Sequence, residues 1–393
     1  LFMVYYGLGT GATLLCAQYY GKGDYKAIQI IEGIALRFSM IISILVALVA
    51  FTMPQMMMKL FTNDPELLAI GSSYIRIMGI TYICWGMTEV YLAVLRSIGR
   101  VTVSMAMNML AFGLNILLNA TFIFGLFGAP KLGATGVAIA TDLSTLFSAG
   151  MVVWWLIRET DEIRLSVESL CFSGKFVGKI VSIGLPAGLQ GAVFCLANIF
   201  IQSAVNSFGS IAVAGSAISM NYEYFSYYIL SACGQAATTF VSQNYAAGNR
   251  QRCRRILVLC LVGSVLFDSI VNTPLVIWRQ AFSGIFSSEA AVIEAACQRM
   301  LIVLALGPVC GLYEVPAGVM RGMGYSLRPA LMTMLGICLF RIVWVETVFR
   351  QVRTLPCLFI VFPITWAITL VLIWGTFRLV AWDKLKGNEG SAA

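Results

Sequence analysis

An acidic side chain inside a long apolar run is the strongest chemical signal in this sequence. Glu89, Asp142, Glu223, Asp268 and Glu314 each lie in a stretch otherwise dominated by Leu, Ile, Val, Ala, Phe and Gly. An ionisable group inside a bilayer costs several kcal/mol unless it is paired or faces water, so each is a candidate site. Glu89 precedes Arg96, and Glu314 precedes Arg321, by two helical turns on nearly the same face, roughly 10 Å from the membrane edge at the helical rise. Both carboxylates read either as structural groups beside an inner gate or as substrate- or proton-binding groups. Glu223 follows Tyr222 in the aromatic run Met220-Asn221-Tyr222-Glu223-Tyr224. That grouping suits an amphipathic cation through cation–π contact, although tyrosines also gather at membrane interfaces for other reasons. Asp268 and Arg341 lie at matching distances from Arg255 and Arg328, so both sit ~20 Å deep and read as a structural ion pair.

Uncharged groups form a second cluster. Asn115 and Asn119 are one turn apart, so their side chains reach the same spot, for ion or water coordination or for ordinary interhelical hydrogen bonding. Asn119 sits ~28 Å and Thr141-Asp142 ~24 Å from the inner face, so these four residues are expected to share one polar pocket. The other reading of Asp142 is a capping or water-facing group near the outer end. Much other chemistry is excluded. The chain has no histidine, which removes imidazole relays and Ser-His or Cys-His catalysis. Its 11 cysteines are scattered without a CxxC pair and read as small buried hydrophobes. Met56-Met57-Met58 reads as apolar packing rather than a soft-metal site. No catalytic constellation, metal site or cofactor is expected.

The elements that must hold these groups are transmembrane helices. The chain is 59% hydrophobic and only 11% charged, with mean hydropathy +0.86, against about 25% charged residues in soluble domains. Eleven apolar segments are long enough to span a bilayer: 1–20, 27–52, 66–95, 101–125, 133–157, 174–207, 210–244, 250–278, 289–320, 326–350 and 355–382. Seventeen lysines and arginines fall in one alternate set of loops and five in the other. The first set is therefore cytoplasmic and the C-terminus inside. The net charge of +8 reflects this topology and anionic lipid headgroups rather than nucleic acid.

The halves repeat at an offset of 225. Gly9-Thr10-Gly11-Ala12-Thr13 returns as Gly234-Gln235-Ala236-Ala237-Thr238, and Phe61, Gly86, Glu89, Val94, Arg96 and Gly99 return as Phe286, Gly311, Glu314, Val319, Arg321 and Gly324. Two like-oriented halves of an apolar chain are the pattern of a transporter that alternates access by moving one bundle against the other. The expected fold is an all-α polytopic membrane protein of two pseudo-symmetric six-helix lobes. The first lobe is 1–157, lacking the counterpart of 174–207 as if N-terminally truncated. A cytoplasmic linker follows at 158–175, then the second lobe at 176–382 and a cytoplasmic tail at 383–393.

Several motifs, in order, resemble the multidrug and toxic compound extrusion (MATE) family over nearly the whole chain. They are Ala17-Gln18-Tyr19-Tyr20-Gly21-Lys22-Gly23-Asp24, Leu95-Arg96-Ser97-Ile98-Gly99-Arg100, the run from Leu114 to Gly125, Gly133-Ala134-Thr135-Gly136 onward, and Gly184-Leu185-Pro186-Ala187-Gly188. The resemblance implies two six-helix lobes forming a V, and export of amphipathic, often cationic drugs in exchange for Na+ or H+. It implies a bacterial plasma-membrane monomer whose partners are small molecules and lipids. In one branch of the family a glutamate follows the proline of the seventh helix by eight residues, where this chain has Phe194. In another, an Asn and an acid on helix five and a Thr on helix six hold the ion. Asn115, Asn119 and Thr141 take those places, and Asp142 is a candidate for the carboxylate that position 119 has lost. A lipid-linked oligosaccharide flippase shares the architecture, but it would need several inward-facing cations to hold pyrophosphate. Only Arg37, Arg76, Arg299 and Arg341 lie deep in the spans.

Overall fold

Asp24 and Asn249, 225 apart, open the same helix in each half. In the computed structural model, which describes residues 2–59, 64–158 and 173–386, each side chain caps its helix. Asp24 accepts from the Ala27 N–H at 3.1 Å and Asn249 from the Arg252 N–H at 3.1 Å. Such a cap satisfies an otherwise orphan backbone donor. The turns before them need a left-handed residue, supplied by Gly23 (φ 72°) and Gly248 (φ 80°).

The first half comprises α1 (Phe2–Gly21), α2 (Tyr25–Thr52), α3 (Pro54–Lys59), α4 (Pro65–Ser97), α5 (Val101–Phe124) and α6 (Gly133–Arg158). Helix α7 (Gly174–Asn206) follows. The second half continues with α8 (Ser210–Ala246), α9 (Arg250–Ile277), α10 (Arg279–Gly284), α11 (Ala290–Ala305) and α12 (Val309–Gly322). It closes with α13 (Leu327–Thr333), a π-helical turn (Met334–Leu339), α14 (Phe340–Glu346), α15 (Val348–Gln351), α16 (Leu355–Phe359), α17 (Val361–Phe377), a second π turn (Arg378–Trp382) and α18 (Asp383–Lys386). Shifted by 225, the bounds of α2 become those of α9, those of α3 become α10, and those of α4 become the outer bounds of α11 and α12. The repeat therefore reaches down to single helix ends.

One difference between the halves has a local cause. Helix α4 is continuous, whereas α11 and α12 are bent by 47° at a short break. Pro308 stands in the break where α4 has Ile83. Proline has no N–H, so it cannot continue the ladder.

Among the described residues, eight helices are long and apolar enough to cross a membrane, and the bent pair α11–α12, taken as one span, makes a ninth. Helices α1 and α8 fill the two remaining expected positions but are less apolar. Large apolar side chains point outward along the spans, among them Leu45, Leu48, Met109, Val371 and Leu379. Together with the helix lengths, that surface is what an all-α polytopic membrane protein presents to lipid.

The chain forms two compact units, 1–185 and 186–393. The expected linker at 158–175 lies largely outside the described residues. The division falls later, between Leu185 and Pro186 inside α7, so the second unit does not begin at 176. The reason is close packing: a Cβ on Gly11 would meet the Ile180 carbonyl at 2.5 Å, and one on Gly184 would meet the Gly7 carbonyl at 2.5 Å. Small residues let these backbones touch, which ties the start of α7 to α1. The expected tail also begins later than 383, because α18 packs against α9. Leu385 is buried and its carbonyl accepts from Arg254 Nε at 2.9 Å.

Candidate functional site

In the first unit the polar residues split into two groups. Asn119 donates to Asn115 Oδ1 at 2.9 Å, Asn115 donates to Ser144 Oγ at 3.0 Å, and Ser144 donates to the Thr141 carbonyl at 2.9 Å. The Thr141 hydroxyl is taken up by the Val137 carbonyl of its own helix at 2.8 Å. Asp142 faces elsewhere: it accepts the Thr81 N–H at 3.1 Å and the Thr81 hydroxyl on α4. Residues 142 and 144 are about 200° apart around α6, so they cannot serve one pocket. The expectation that Asn115, Asn119, Thr141 and Asp142 converge is therefore corrected. The two asparagines meet Ser144, Thr141 joins them through its carbonyl, and Asp142 is buried against α4. Thr81 and Ser144 were invisible in the sequence, because hydroxyls are common in spans and carry no depth signal.

The two symmetric carboxylates meet their expected neighbours. Arg96 reaches Glu89 at 3.4 Å and also donates to Ser104 at 3.1 Å, and Arg321 reaches Glu314 at 2.6 Å. A pair two turns apart thus closes on one helix face in both halves.

Glu223 differs from expectation. Arg299 grips it with two bonds, Nε to Oε1 at 2.7 Å and Nη2 to Oε2 at 2.8 Å, and Ser219 donates to Oε1 at 2.8 Å. Arg299 is buried, donates to Ser216, and lies over the Phe359 and Phe362 rings at 5.2 and 5.4 Å. The carboxylate is already neutralised, so it is not free to attract a cationic ligand. Tyr222 is likewise structural: it is buried edge-on to Phe282 and Phe286, with its hydroxyl on the Phe282 carbonyl at 2.8 Å.

The expected ion pair between Asp268 and Arg341 does not form. Asp268 accepts from Ser226 at 2.7 Å and from Asn272 at 3.0 Å. Arg341 donates to Asn198 at 3.2 Å and lies over Phe362 at 4.3 Å. Equal depth does not fix direction around the helix. The π turn Met334–Leu339 just before Arg341 adds a residue to the ladder and rotates everything after it. Asn272 was legible in principle, because it stands one turn from Asp268 as Asn119 does from Asn115.

One helix face stands apart. Asn221, Tyr224, Tyr228 and Gln235 follow one another at helical spacing along α8 and are exposed, as is Tyr227 beside them. The Tyr224 and Tyr228 rings stack at 6.4 Å.

Comparison with known proteins agrees with this architecture. The MatE family matches residues 1–121 and 186–345. A probable multidrug resistance protein NorM of Thermotoga maritima is 25% identical over 330 residues, 83% of this chain and 70% of that protein. A probable multidrug resistance protein YoeA of Bacillus subtilis is 21% identical over 383 residues, 96% of this chain and 82% of that protein. Among solved structures, a MOP superfamily transporter from Pyrococcus furiosus, whose binding pocket is described as of reverse polarity and suggestive of a different function, superposes with a TM-score of 0.87 at 17% identity. The match covers 98% of this chain and 85% of that one. Over more than half its length, and with two halves built on one helical plan, the chain belongs to the MatE family of multidrug efflux transporters, which are membrane transporters rather than enzymes.

Proposed function

We propose that this chain is a secondary-active antiporter that exports amphipathic, often cationic drugs across a bacterial plasma membrane in exchange for Na+ or H+, by alternating access. The observation that carries the substrate class is the exposed tyrosine face of α8. A spanning helix that turns Asn221, Tyr224, Tyr228 and Gln235 outward is costly against lipid and suits a water-filled path. Stacked phenol rings there bind flat apolar groups and attract cations through their faces. The family membership and the multidrug resistance relatives support the same reading. Two of the four deep cations that a flippase would turn toward pyrophosphate are engaged within the second unit: Arg299 by Glu223, and Arg341 by Asn198 and Phe362. The excess of lysines and arginines in one alternate set of loops supports a C-terminus in the cytoplasm.

The test is efflux of a fluorescent lipophilic cation from a drug-sensitive bacterial host. Expression of the chain should lower dye retention. Tyr224→Ala with Tyr228→Ala should weaken export about 2–30-fold, the range of one or more lost cation–π contacts. Unchanged export by the double variant would reject the tyrosine face as the drug surface.

A further inference from the structure

Asp268 is the buried carboxylate of the second unit without a cationic partner among the described residues. It is 0% exposed, and Asn272 one turn along α9 is 2% exposed. The hydrogen bonds Asp268 accepts, from the Ser226 hydroxyl and the Asn272 amide, come from neutral donors. Neutral donors orient a carboxylate but do not cancel its charge, and an uncompensated charge in an apolar interior is among the costliest arrangements a fold can hold.

The backbone beside it is interrupted at the same point. Leu304 would normally give its carbonyl to the N–H four residues on, which is Pro308 and has none. The carbonyl instead takes the Leu306 N–H, the Gly307 N–H at 3.2 Å and the Asn272 amide at 3.2 Å. Discontinuous spanning helices present freed carbonyls to coupling ions in this way.

Three oxygens thus surround one point. Ser226 Oγ, Asp268 Oδ2 and the Leu304 carbonyl lie 3.2, 3.0 and 3.2 Å from the Asn272 amide nitrogen. An amide nitrogen has two hydrogens for these three acceptors. Its companion Oδ1 is buried and has no partner. Half a turn of the amide would bring that orphan oxygen in beside the other three. The result is a carboxylate, a hydroxyl, an amide oxygen and a backbone carbonyl, an all-oxygen set suited to a hard cation. A single positive charge cancels the carboxylate, whereas a divalent ion would leave the interior charged. Glycine keeps the cluster open: a Cβ on Gly307 would stand 2.7 Å from Asn272 Nδ2 and 3.1 Å from Asp268 Oδ2.

We propose that Asp268, Asn272, Ser226 and the Leu304 carbonyl bind one Na+, and that this is a coupling site for the antiport proposed above, on which that coupling role rests. The test is equilibrium binding of radioactive Na+ to the purified chain in detergent, with no drug present. The wild type should bind saturably. Asp268→Asn, which keeps shape and removes charge, should abolish binding. Ser226→Ala and Asn272→Leu should each weaken it about tenfold, the loss expected for one contact to a charged group. Should Asp268→Asn fail to fold, these two decide. Glu294→Gln, on the exposed side of α11, should bind as the wild type does. No saturable binding by the wild type, or equal binding by all variants, overturns the site. Drug export driven by a pH gradient with no Na+ binding overturns the site and leaves antiport standing. Na+ binding without any gradient-driven export leaves the site and overturns antiport.

Discussion

Replacing Glu223 with glutamine should be among the most damaging single changes in the second unit. Arg299 is 4% exposed and its guanidinium is satisfied chiefly by the two Glu223 oxygens, at 2.7 and 2.8 Å. The variant keeps one acceptor but leaves the buried cation uncompensated. Breaking one side of a buried pair costs about 3–5 kcal/mol, whereas removing both partners is often close to neutral. A unit of this size loses about 2–4 °C of midpoint per kcal/mol, so Glu223→Gln should lower the thermal midpoint by ~6–20 °C. Glu223→Gln with Arg299→Met should recover most of that loss, since the methionine can fill the space against Phe359 and Phe362. The assay is thermal unfolding of the purified chain in detergent, with all four members of the cycle. Glu89→Gln serves as the contrast. Its pair with Arg96 is 3.4 Å long and more than a third exposed, so it should cost ~0–1 kcal/mol. A shift below about 2 °C for Glu223→Gln, or a double variant as unstable as the two singles combined, would refute the reasoning.

Other consequences are simpler to test. Gly318→Ala places a Cβ 2.4 Å from the Gly234 carbonyl and should cost about 1–3 kcal/mol by thermal unfolding, while Gly113→Ala, with nothing within 4 Å, should be neutral or stabilising by up to ~1 kcal/mol. Asp142→Asn retains an oxygen for the Thr81 N–H and hydroxyl and should unfold within about 1 kcal/mol of wild type, whereas Asp142→Leu strands both donors and should cost about 1–3 kcal/mol. Green fluorescent protein joined after Lys386 should fluoresce and alkaline phosphatase joined there should be inactive; the reverse pattern would overturn the inside C-terminus.

How much of this was legible in the sequence depended on whether the signal was local or spatial. Span positions were legible, because an apolar run bounded by turn residues is a local signal: the expected 27–52 and 250–278 are α2 (Tyr25–Thr52) and α9 (Arg250–Ile277). The Glu89–Arg96 and Glu314–Arg321 pairs were legible too, because two turns of one helix fix their distance. Partners across helices were not. Depth can be counted from a helix end, but direction around the axis cannot once a π turn or a proline break intervenes. The π turn is why Asp268 and Arg341 looked paired; in the unbroken α6, α8 and α11 depth alone does not say which neighbour a side chain faces, so Arg299 was not matched to Glu223 and Asp142 was placed with Asn119 instead of Thr81. The exposed tyrosine face of α8 was half legible: the tyrosines stood out, but Tyr222 and Glu223 drew attention from the outward-facing Tyr224 and Tyr228.

Ion movement evoked by drug is the most direct test of antiport. Liposomes holding the purified chain and loaded with labelled Na+ at neutral pH would receive a lipophilic cation outside, with internal pH followed in parallel. Inward drug movement should drive Na+ or protons outward, and Tyr224→Ala with Tyr228→Ala should weaken both fluxes together, by the same about 2–30-fold. Drug uptake through the protein with no counter-movement of either ion would contradict antiport.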